Sequence, residues 1–542
     1  MSRYRSYGPL DDQIRSDGDT GFRGIDSYLE PTTLAPGQVE VSTNMRLEGD
    51  TATVRKGIDF LAGGVTLSYV ADTEEVFASG VFSDPATNIE YIVVATKEKA
   101  ILWNDDNASG IDIAYPGGEL VALADGASFT QNFDKLILWR GESKRPLTWD
   151  GNTSNPFTVK TSSPSGAGEA CPNSEYGLSF RNRLIIPEPT DSPFTVLMSD
   201  LLDSDNFTIT DSRFRINKGS ADGPLIGFAP YMEDQLIVFF RKSIHLISNV
   251  ATTSASGVYE ITRQYGCVSR KSVAASGPQF YFLSDSGVMV MQQGLDPAKG
   301  LGVAISKISG EAVPLSAQIQ DQFAKVNFGN ASGACGIVFD NKYFLACPGT
   351  VTSTTNDTIF CYDTLQKSWT SVDTYPDVAG SLDFAVDDWV VCSHGTNPTR
   401  RRLFACNTTG WYLVGENSLD DSGRKIGSSS ESGTTAIPAT LKTRSYTFGD
   451  LGVKRWKGGQ LGVSVNSGDQ FTVKVNTTDP DTSTSVLSHS AGDTEEALLR
   501  FGARARGHSC NIEVDVTAGR PSFRHVSVEA TDWGLAARRE VA

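Results

Sequence analysis

The side chains that could do chemistry in this 542-residue chain are few and scattered. There is no glycine-rich phosphate loop followed by lysine, no His-Glu-x-x-His motif and no Gly-x-Ser-x-Gly motif. The five histidines are not spaced to share a metal, and isolated histidines inside strands are expected to be structural. They are His245, His394, His489, His508 and His525. We therefore assign no catalytic, cofactor-binding or metal-ligating residue, and expect a protein that is not an enzyme and needs no cofactor.

Carboxylate pairs are the other candidates for chemistry. A glycosidase needs two carboxyl groups on either side of a sugar bond. Asp105-Asp106 and Asp387-Asp388 are adjacent acidic pairs, but both lie in predicted turns. Ser284-Asp285-Ser286-Gly287 resembles half of the Asp-box turn of sialidase propellers, yet the aromatic residue that should follow is missing and the turn does not recur. An ordinary β-turn is the better interpretation, and the sequence leaves open which acidic residues meet in space.

The cysteines show no metal or redox spacing. No two of the eight form a Cys-x-x-Cys pair, and most lie in predicted strands. We expect buried free thiols in a protein made in a reducing cytoplasm. The cysteines are Cys171, Cys267, Cys335, Cys347, Cys361, Cys392, Cys406 and Cys510.

The net charge of −17 argues against a protein that grips nucleic acid through its phosphates. One local exception is a group of arginines near the C-terminus: Arg500, Arg504, Arg506, Arg520 and Arg524. Two interpretations stay open. The arginines form surface salt bridges with Glu513, Asp515 and Glu529, or they form a basic patch that meets an acidic face of another subunit.

A recurring phrase organises the elements that must position these residues. It consists of a polar turn followed by a short apolar strand, as in Glu233-Asp234 followed by Leu236 to Phe240. The turns are anchored at Asn88, Asp134, Asn182, Asp234, Gln279, Asn341 and Asp388. Successive anchors are 46, 48, 52, 45, 62 and 47 residues apart. A β-rich repeat of about 45 residues is typical of a β-propeller with four strands per blade.

The sequence therefore predicts an all-β protein with a β-propeller of seven blades, six being possible. Residues 1–60 are expected to form an extended N-terminal arm that packs on the ring-forming domain, and residues 61–415 the propeller, with an insertion at 297–330. The insertion contains one short amphipathic helix around Leu315 to Phe323. Residues 416–436 are expected to be a flexible linker or loop. Residues 437–542 alternate with period two and predict a C-terminal β-sandwich-like domain for ring assembly.

No apolar run is long enough for a membrane span, and the polar N-terminus does not predict a cleaved secretory signal.

Both ends of the chain resemble tail nozzle or hub proteins of short-tailed bacteriophages, also called tail tubular protein B or head stabilisation proteins. At the N-terminus the resemblance is carried by Ser27-Tyr28-Leu29, Leu34-Ala35-Pro36-Gly37-Gln38, Asn44-Met45-Arg46 and Arg55-Lys56-Gly57. At the C-terminus it is carried by Lys454-Arg455-Trp456-Lys457, Arg504-Ala505-Arg506-Gly507-His508-Ser509 and Gly519-Arg520-Pro521-Ser522-Phe523-Arg524-His525-Val526. The resemblance covers roughly a quarter of the chain.

The resemblance implies a structural virion protein, located in the tail and assembled in the host cytoplasm. It would form a homohexameric ring attached below the portal and adaptor, as a conduit for genome ejection. The implied partners are other copies of the chain, the adaptor and portal ring, and tail fibres or spikes. Double-stranded DNA would pass through the lumen without specific binding, and an acidic conduit suits that passage because it repels phosphates.

Two alternatives come from the fold and the aromatic residues. Propellers often place sites at the mouth of the central channel, so a host-glycan hydrolase is the first. A receptor-binding tail protein is the second, with Trp149, Trp369 and Trp411 as sugar-contacting aromatics, although these tryptophans are also expected in the core.

Overall fold

The computed structural model describes residues 14–532 of the chain with internal gaps. The gaps are 61–74, 105–106, 119–126, 162–168, 189–193, 209–211, 217–221, 278, 295–301, 306, 309–310, 376–383, 395–399, 417–418, 424–432, 450–451 and 479–480.

The described chain is built almost entirely of short strands. The N-terminal strands are β1 (Arg15–Asp19), β2 (Gly24–Ile25), β3 (Gln38–Thr43), β4 (Met45–Glu48), β5 (Thr51–Val54) and β6 (Ile58–Phe60). Next come β7 (Ala78–Ser83), β8 (Glu90–Ala95), β9 (Lys99–Asn104), β10 (Asn107–Ala114), β11 (Ser128–Asn132), β12 (Lys135–Trp139), β13 (Leu147–Trp149), β14 (Thr158–Val159), β15 (Glu169–Ala170), β16 (Leu178–Phe180), β17 (Arg183–Pro187), β18 (Thr195–Met198), β19 (Asn206–Phe207) and β20 (Arg213–Arg215).

The middle of the chain continues in the same way. Its strands are β21 (Leu225–Tyr231), β22 (Gln235–Phe240), β23 (Ile244–Ser248), β24 (Gly257–Thr262), β25 (Ala274–Ser276), β26 (Gln279–Ser284), β27 (Gly287–Gly294), β28 (Gly302–Ile305), β29 (Lys307–Ile308), β30 (Glu311–Ala312), β31 (Cys335–Phe339), β32 (Lys342–Cys347), β33 (Thr358–Asp363), β34 (Ser368–Thr374), β35 (Asp388–His394), β36 (Arg400–Asn407) and β37 (Gly410–Val414). The helical elements include short 3-10 turns at Arg270–Ser272 and Leu315–Ile319 and an α-helix, α1, at Gln320–Phe323.

These strands form seven four-stranded antiparallel units. In order they are β7–β10, β11–β14, β16 with β17, β18 and β20, β21–β24, β25–β28, β31–β34, and β35–β37 with β6. The first strand of blade 7, β35, contacts the first strand of blade 1, β7, so the units close into a ring. The prediction of an all-β propeller is therefore confirmed, with seven blades.

The apolar run Leu236 to Phe240 explains how blades are read from sequence. It lies in β22, the second strand of blade 4, and every residue of the run is fully buried. Ile237 and Phe239 pack against blade 5, and the alternate residues pack against blade 3. A strand covered on both faces needs apolar residues at every position, which gives a run rather than alternation.

The structure differs from the sequence-based outline in the last blade. The anchor at Asp388 was placed before a second strand, whereas Asp388–His394 is the inner strand of blade 7. The fourth strand of this blade is β6, which pairs with β37 through Leu413 and Asp59. The N-terminal segment completes this blade, so its four strands are not consecutive in sequence. For this reason the repeat pattern placed the anchor of blade 7 before the wrong strand.

Two further segments differ from expectation. Within the segment expected to be an insertion, Gly302–Ile305 is the fourth strand of blade 5, while Ile319 and Phe323 bury the predicted amphipathic helical face. The segment expected to be a linker contains a hairpin of β38 (Asp420–Gly423) and β39 (Gly433–Ala436). This hairpin is ordered by a fully buried ion pair that local composition does not reveal.

Most C-terminal strands alternate buried residues with more exposed ones, as the period-two pattern predicted, whereas Thr482–Ser490 has no buried residue. They are β40 (Ala439–Thr443), β41 (Lys454–Val465), β42 (Gln470–Thr478), β43 (Thr482–Ser490), β44 (Glu495–Gly507), β45 (Ser509–Ala518) and β46 (Ser522–Asp532). One sheet has the order β4-β5-β46-β41-β44, with β1 also paired to β46. A second runs from blade 6 through β2 and β3 into β40-β45-β42-β43. The inner faces of both sheets share one core, which makes a sandwich.

Candidate functional site

A cavity of about 250 Å³ opens at the end of the propeller ring where the inner strands of blades 1 and 7 begin. We call it the mouth cavity. Three chain segments and one lysine from blade 5 line it. The lining residues are Val76, Phe77, Ala78, Ser79, Lys271, Asp387, Asp388, Cys406, Asn407 and Thr408.

Backbone hydrogen bonds hold the three segments together. The Val76 N–H donates to the Thr408 carbonyl at 3.0 Å, and the Asp387 N–H donates to the Cys406 carbonyl at 2.9 Å. These bonds join the start of two inner strands to the turn between β36 and β37. The acidic residues are therefore carried on backbone that the ring itself fixes.

Lys271 reaches the cavity from the 3-10 turn before the inner strand of blade 5. Its Nζ donates to the Asp387 backbone oxygen at 3.0 Å and lies 3.2 Å from Asp388 Oδ2. The other Asp388 oxygen accepts the Trp389 N–H at 2.9 Å. One carboxylate of the pair is therefore held by a cation and a backbone donor.

Asp387 lies in different surroundings from its neighbour. Asp387 is exposed as a whole residue and lines the cavity, and the surrounding protein desolvates its carboxyl group in part. Burial raises the pKa of the Asp387 carboxyl above its ordinary value, although the Lys271 charge and the Thr408 N–H act in the opposite direction. A carboxyl whose pKa is raised by desolvation can hold a proton for acid catalysis or donate a hydrogen bond to a ligand oxygen.

The size of the cavity limits what it can take. Its volume of about 250 Å³ is below the roughly 300–1,000 Å³ of common ligand sites. It can therefore hold a small polar group, such as one sugar ring of a longer glycan. The burial of Cys406 raises the pKa of its thiol, so this lining residue is not a nucleophile.

The structure does not bring the other sequence candidates together into a site. Asp105 and Asp106 lie outside the described residues. Asp285, from the Asp-box-like turn, pairs with Arg241 at 2.6 Å between blades. His245 is buried, with Nε2 3.1 Å from Ser243 Oγ. Within the described residues no group of three or more His, Cys, Asp or Glu side chains could hold a metal ion.

The cysteines and tryptophans have core positions. All eight cysteines are buried and free, which confirms the expectation of buried thiols. Trp149, Trp369 and Trp411 are each at most 1% exposed, so they cannot contact a sugar. The receptor-binding alternative loses the aromatic surface on which it rested.

For the arginines near the C-terminus, the structure does not support the salt bridges with Glu513 and Asp515 that one of the two interpretations predicted. Glu513 and Asp515 both pair with Lys474 on the other sheet of the sandwich, not with the arginines. Arg524 pairs with Glu496 at 3.0 Å.

The adjacent pair Asp387-Asp388 is visible in the sequence as a candidate, but its cationic partner is not. Lys271 lies more than a hundred residues away from the pair and has no local signal in the sequence.

No family model matches the chain, and no curated protein matches it. Several solved structures do. YCF48 from Cyanidioschyzon merolae aligns with a TM-score of 0.36 at 10% identity, over 64% of this chain and 97% of its own. The extracellular domain of a putative one-component system from B. thetaiotaomicron aligns with a TM-score of 0.38 at 8% identity, over 87% and 62%. An exo-beta-1,3-galactanase from Phanerochaete chrysosporium aligns with a TM-score of 0.25 at 9% identity, over 88% and 100%.

These matches correct one expectation. The prediction that the chain is not an enzyme is contradicted, because the similar structures include glycoside hydrolases. None of the matched structures described above is a tail nozzle protein. The alignments are too loose to identify any residue of this chain as catalytic. No described helix is long and apolar enough to cross a membrane.

Proposed function

We propose that this chain is a structural subunit of the tail nozzle or hub ring of a short-tailed phage, a conduit for genome ejection below the portal and adaptor. The observation that supports the proposal is that strands from the N-terminal and C-terminal regions of the chain pair in the same sheets. Strands adjacent to or overlapping the segments that carry the resemblance pair across the two ends of the chain: β3 pairs with β40, and both β1 and β5 pair with β46.

The N-terminal motif residues have structural reasons for their identity. Asn44 adopts a positive φ of 55° and donates to the Pro438 carbonyl at 2.7 Å, while Met45 is fully buried. Arg46 forms a bidentate pair with Asp373 of blade 6, at 3.0 and 2.6 Å. The Asn-Met-Arg triplet thus connects the N-terminal arm to blade 6 and to the sandwich. Such connections are expected in a protein that serves as a ring scaffold.

The Arg-Lys-Gly triplet has a comparable role. Arg55 pairs with Asp421, and a Cβ at Gly57 would lie only 1.9 Å from the Asp420 carbonyl oxygen. Glycine is therefore required where the arm passes the hairpin. The motifs that carry the resemblance are junction residues and not site residues.

Under this proposal the partners are further copies of the chain in a hexamer, the adaptor and portal ring, tail fibres or spikes, and DNA in the lumen. The protein would be found in the virion tail. Mass measurement of the purified protein and electron microscopy of the particle test the proposal. A ring at the distal end of the tail is the expected result. A chain that stays monomeric in assembled virions would overturn it.

A second function is favoured by the mouth cavity. We propose that it binds one ring of a host-surface glycan, with the Asp387 carboxyl donating a proton or hydrogen bond to a sugar oxygen. Asp388, held by Lys271, would supply the fixed negative charge beside it. Glycan hydrolysis would follow if both carboxyl groups face the same sugar bond.

The test is release of reducing sugar from host envelope polysaccharide, together with binding measured by calorimetry. Asp387→Asn should abolish release and weaken binding, whereas Asp134→Asn, at an exposed turn of blade 2, should leave both unchanged. Equal activity of the two variants would assign the activity elsewhere. If the unaltered protein neither releases reducing sugar nor binds the polysaccharide, this second function is ruled out, whereas the ring proposal is unaffected.

A further inference from the structure

The outer face of the first sandwich sheet carries a group of basic side chains, which we call the basic strip. Its members are Arg455 and Lys457 of β41 and Arg500, Arg504 and Arg506 of β44. All five are exposed. The odd-numbered residues of β44 between the arginines are buried, so strand alternation directs the three arginines to the same side. The strip stands out on a chain whose net charge is −17.

The register of the sheet places like charges next to each other. Arg455 lies directly opposite Arg506 across the antiparallel pair, and Arg500 lies opposite Gln460. In the described part of the chain, neither Arg500 nor Arg504 forms an ion pair. These two arginines are therefore available to an anionic partner outside the chain.

Few acidic groups of the same sheet compete for the strip. Glu529 of β46 lies opposite Gly458, beside the strip, and Glu496 is already paired with Arg524. Exposed charges interact over about 8 Å at physiological ionic strength. An anion in contact with this face therefore responds to the strip and not to the net charge of the chain.

The spacing of the strip suits a linear polyanion. Alternate residues of an antiparallel strand are about 6.8 Å apart, which is the separation expected for Arg504 and Arg506. Phosphates of one nucleic-acid strand advance about 3.4 Å along the axis but wind round it, so neighbouring phosphates are separated by about twice that distance, close to the spacing of these arginines. Gly502 lies between Arg500 and Arg504, and a Cβ there would meet nothing within 4 Å. The backbone is therefore open to close approach, and planar guanidinium groups bind phosphate oxygens in pairs.

We propose that the basic strip binds the phosphate backbone of a nucleic acid. The contacts are to phosphates only, so the binding carries no sequence preference. The inference goes beyond the conduit proposed above and does not depend on ring formation, because the strip lies on one sheet of a single chain. The alternative occupant, an acidic face of a second copy, is a distinct outcome of the same experiment.

The experiment measures binding of a fluorescein-labelled 20-base-pair duplex by anisotropy, with the full chain, at several salt concentrations. The test variant is Arg500→Glu with Arg504→Glu. Its matched control is Lys242→Glu with Lys325→Glu, which makes the same charge change at exposed positions outside the strip. Thermal unfolding of both variants checks that the fold is retained, and light scattering records the state of association.

The strip variant should bind at least about tenfold more weakly near 50 mM salt, and the slope of log affinity against log salt should fall by about 1.8, or 0.9 per lost phosphate contact. The control should lose much less. Equal losses in both variants, or binding without a salt slope, would overturn the proposal. So would a strip variant that keeps its affinity for the duplex but no longer associates with other copies, because the strip would then face another subunit.

Discussion

Arg55 and Asp421, which are 366 residues apart in sequence, form a bidentate ion pair inside the protein. Nη1 lies 2.7 Å from Oδ1 and Nη2 lies 2.5 Å from Oδ2. Both side chains are at most 1% exposed. Arg55 also donates from Nε to Asn44 Oδ1 at 3.0 Å, and its guanidinium lies 4.3 Å from the centre of the Tyr375 ring. The pair joins the N-terminal arm to the β38–β39 hairpin.

Removing one member of this pair should be costly. Asp421→Asn would leave the Arg55 charge buried without its partner, which costs about 3–5 kcal/mol. We expect this loss in the free energy of local opening, measured by hydrogen exchange of the β5 and β38 amides. Arg23→Ala is the matched control, because Arg23 and Asp50 form an exposed pair whose loss should cost at most about 1 kcal/mol. Similar effects in the two variants would show that the buried pair is not the junction.

Two of the turns that lead into the second strand of a blade hold large apolar residues in the left-handed region. Phe133 has φ 55° and Met232 has φ 46°, whereas the corresponding turns of blades 1 and 3 use Asn88 and Asn182. This region costs an ordinary side chain roughly 1–2 kcal/mol, and asparagine tolerates it better. Phe133→Asn should therefore stabilise the protein by about 0.5–1 kcal/mol after the loss of some ring packing.

The thermal unfolding midpoint checks the sign of this change. Asn182→Ala, which makes the opposite exchange at φ 60°, should lower the midpoint. If both substitutions shift the midpoint in the same direction, backbone strain does not decide their effect.

Stability should depend on pH through Asp387. Because burial raises the pKa of this carboxyl in the folded chain above about 3.9, its value in the unfolded chain, the unfolded chain ionises first as pH rises. Desolvation destabilises the ionised carboxylate only in the folded state. The group therefore lowers the free energy of unfolding above the folded pKa and has no effect on it below about pH 3.9.

Asp387→Asn should then raise the unfolding midpoint at pH 7 and lose that advantage as pH falls towards about 3.5. Differential scanning calorimetry of both proteins across this range measures the difference. Asp134→Asn, at an exposed turn, should show no such trend. A midpoint difference that grows on acidification would contradict the assigned pKa direction.

The seventh blade depends on a strand from the N-terminal arm. Ile58 of β6 is 1% exposed and packs in the core shared by blades 6 and 7. Ile58→Ala should cost about 2–5 kcal/mol through the cavity it leaves. The effect should concentrate at the ring closure, with faster hydrogen exchange of the β37 amides than of the β22 amides in blade 4.

A global effect would count against this role. If β22 and β37 lose protection equally, closure by β6 is not a separate unit of stability. Ile14→Ala, at a residue that is 61% exposed, should change neither strand.

Only part of the mouth cavity could be predicted from the sequence. The adjacent pair Asp387-Asp388 could be named, because paired carboxylates are visible in a sequence. Their different surroundings could not, because the cation that holds Asp388 comes from blade 5 and part of the cavity lining beside Asp387 comes from blade 1. Likewise, the local crowding of Arg500, Arg504 and Arg506 was visible, but its placement on one face depended on sheet alternation and register.

The sequence by itself determined the blades, because a strand covered on both faces must be apolar throughout, as Leu236 to Phe240 is. It also determined the two-faced strands of the sandwich through their period of two. Only the tertiary structure decided that β6 completes blade 7, that Arg55 meets Asp421 and that Lys271 reaches Asp388. These partners are brought together by the closing of the ring and the pairing of the chain ends. Periodicity records the local environment of each strand, whereas such contacts depend on topology across hundreds of residues.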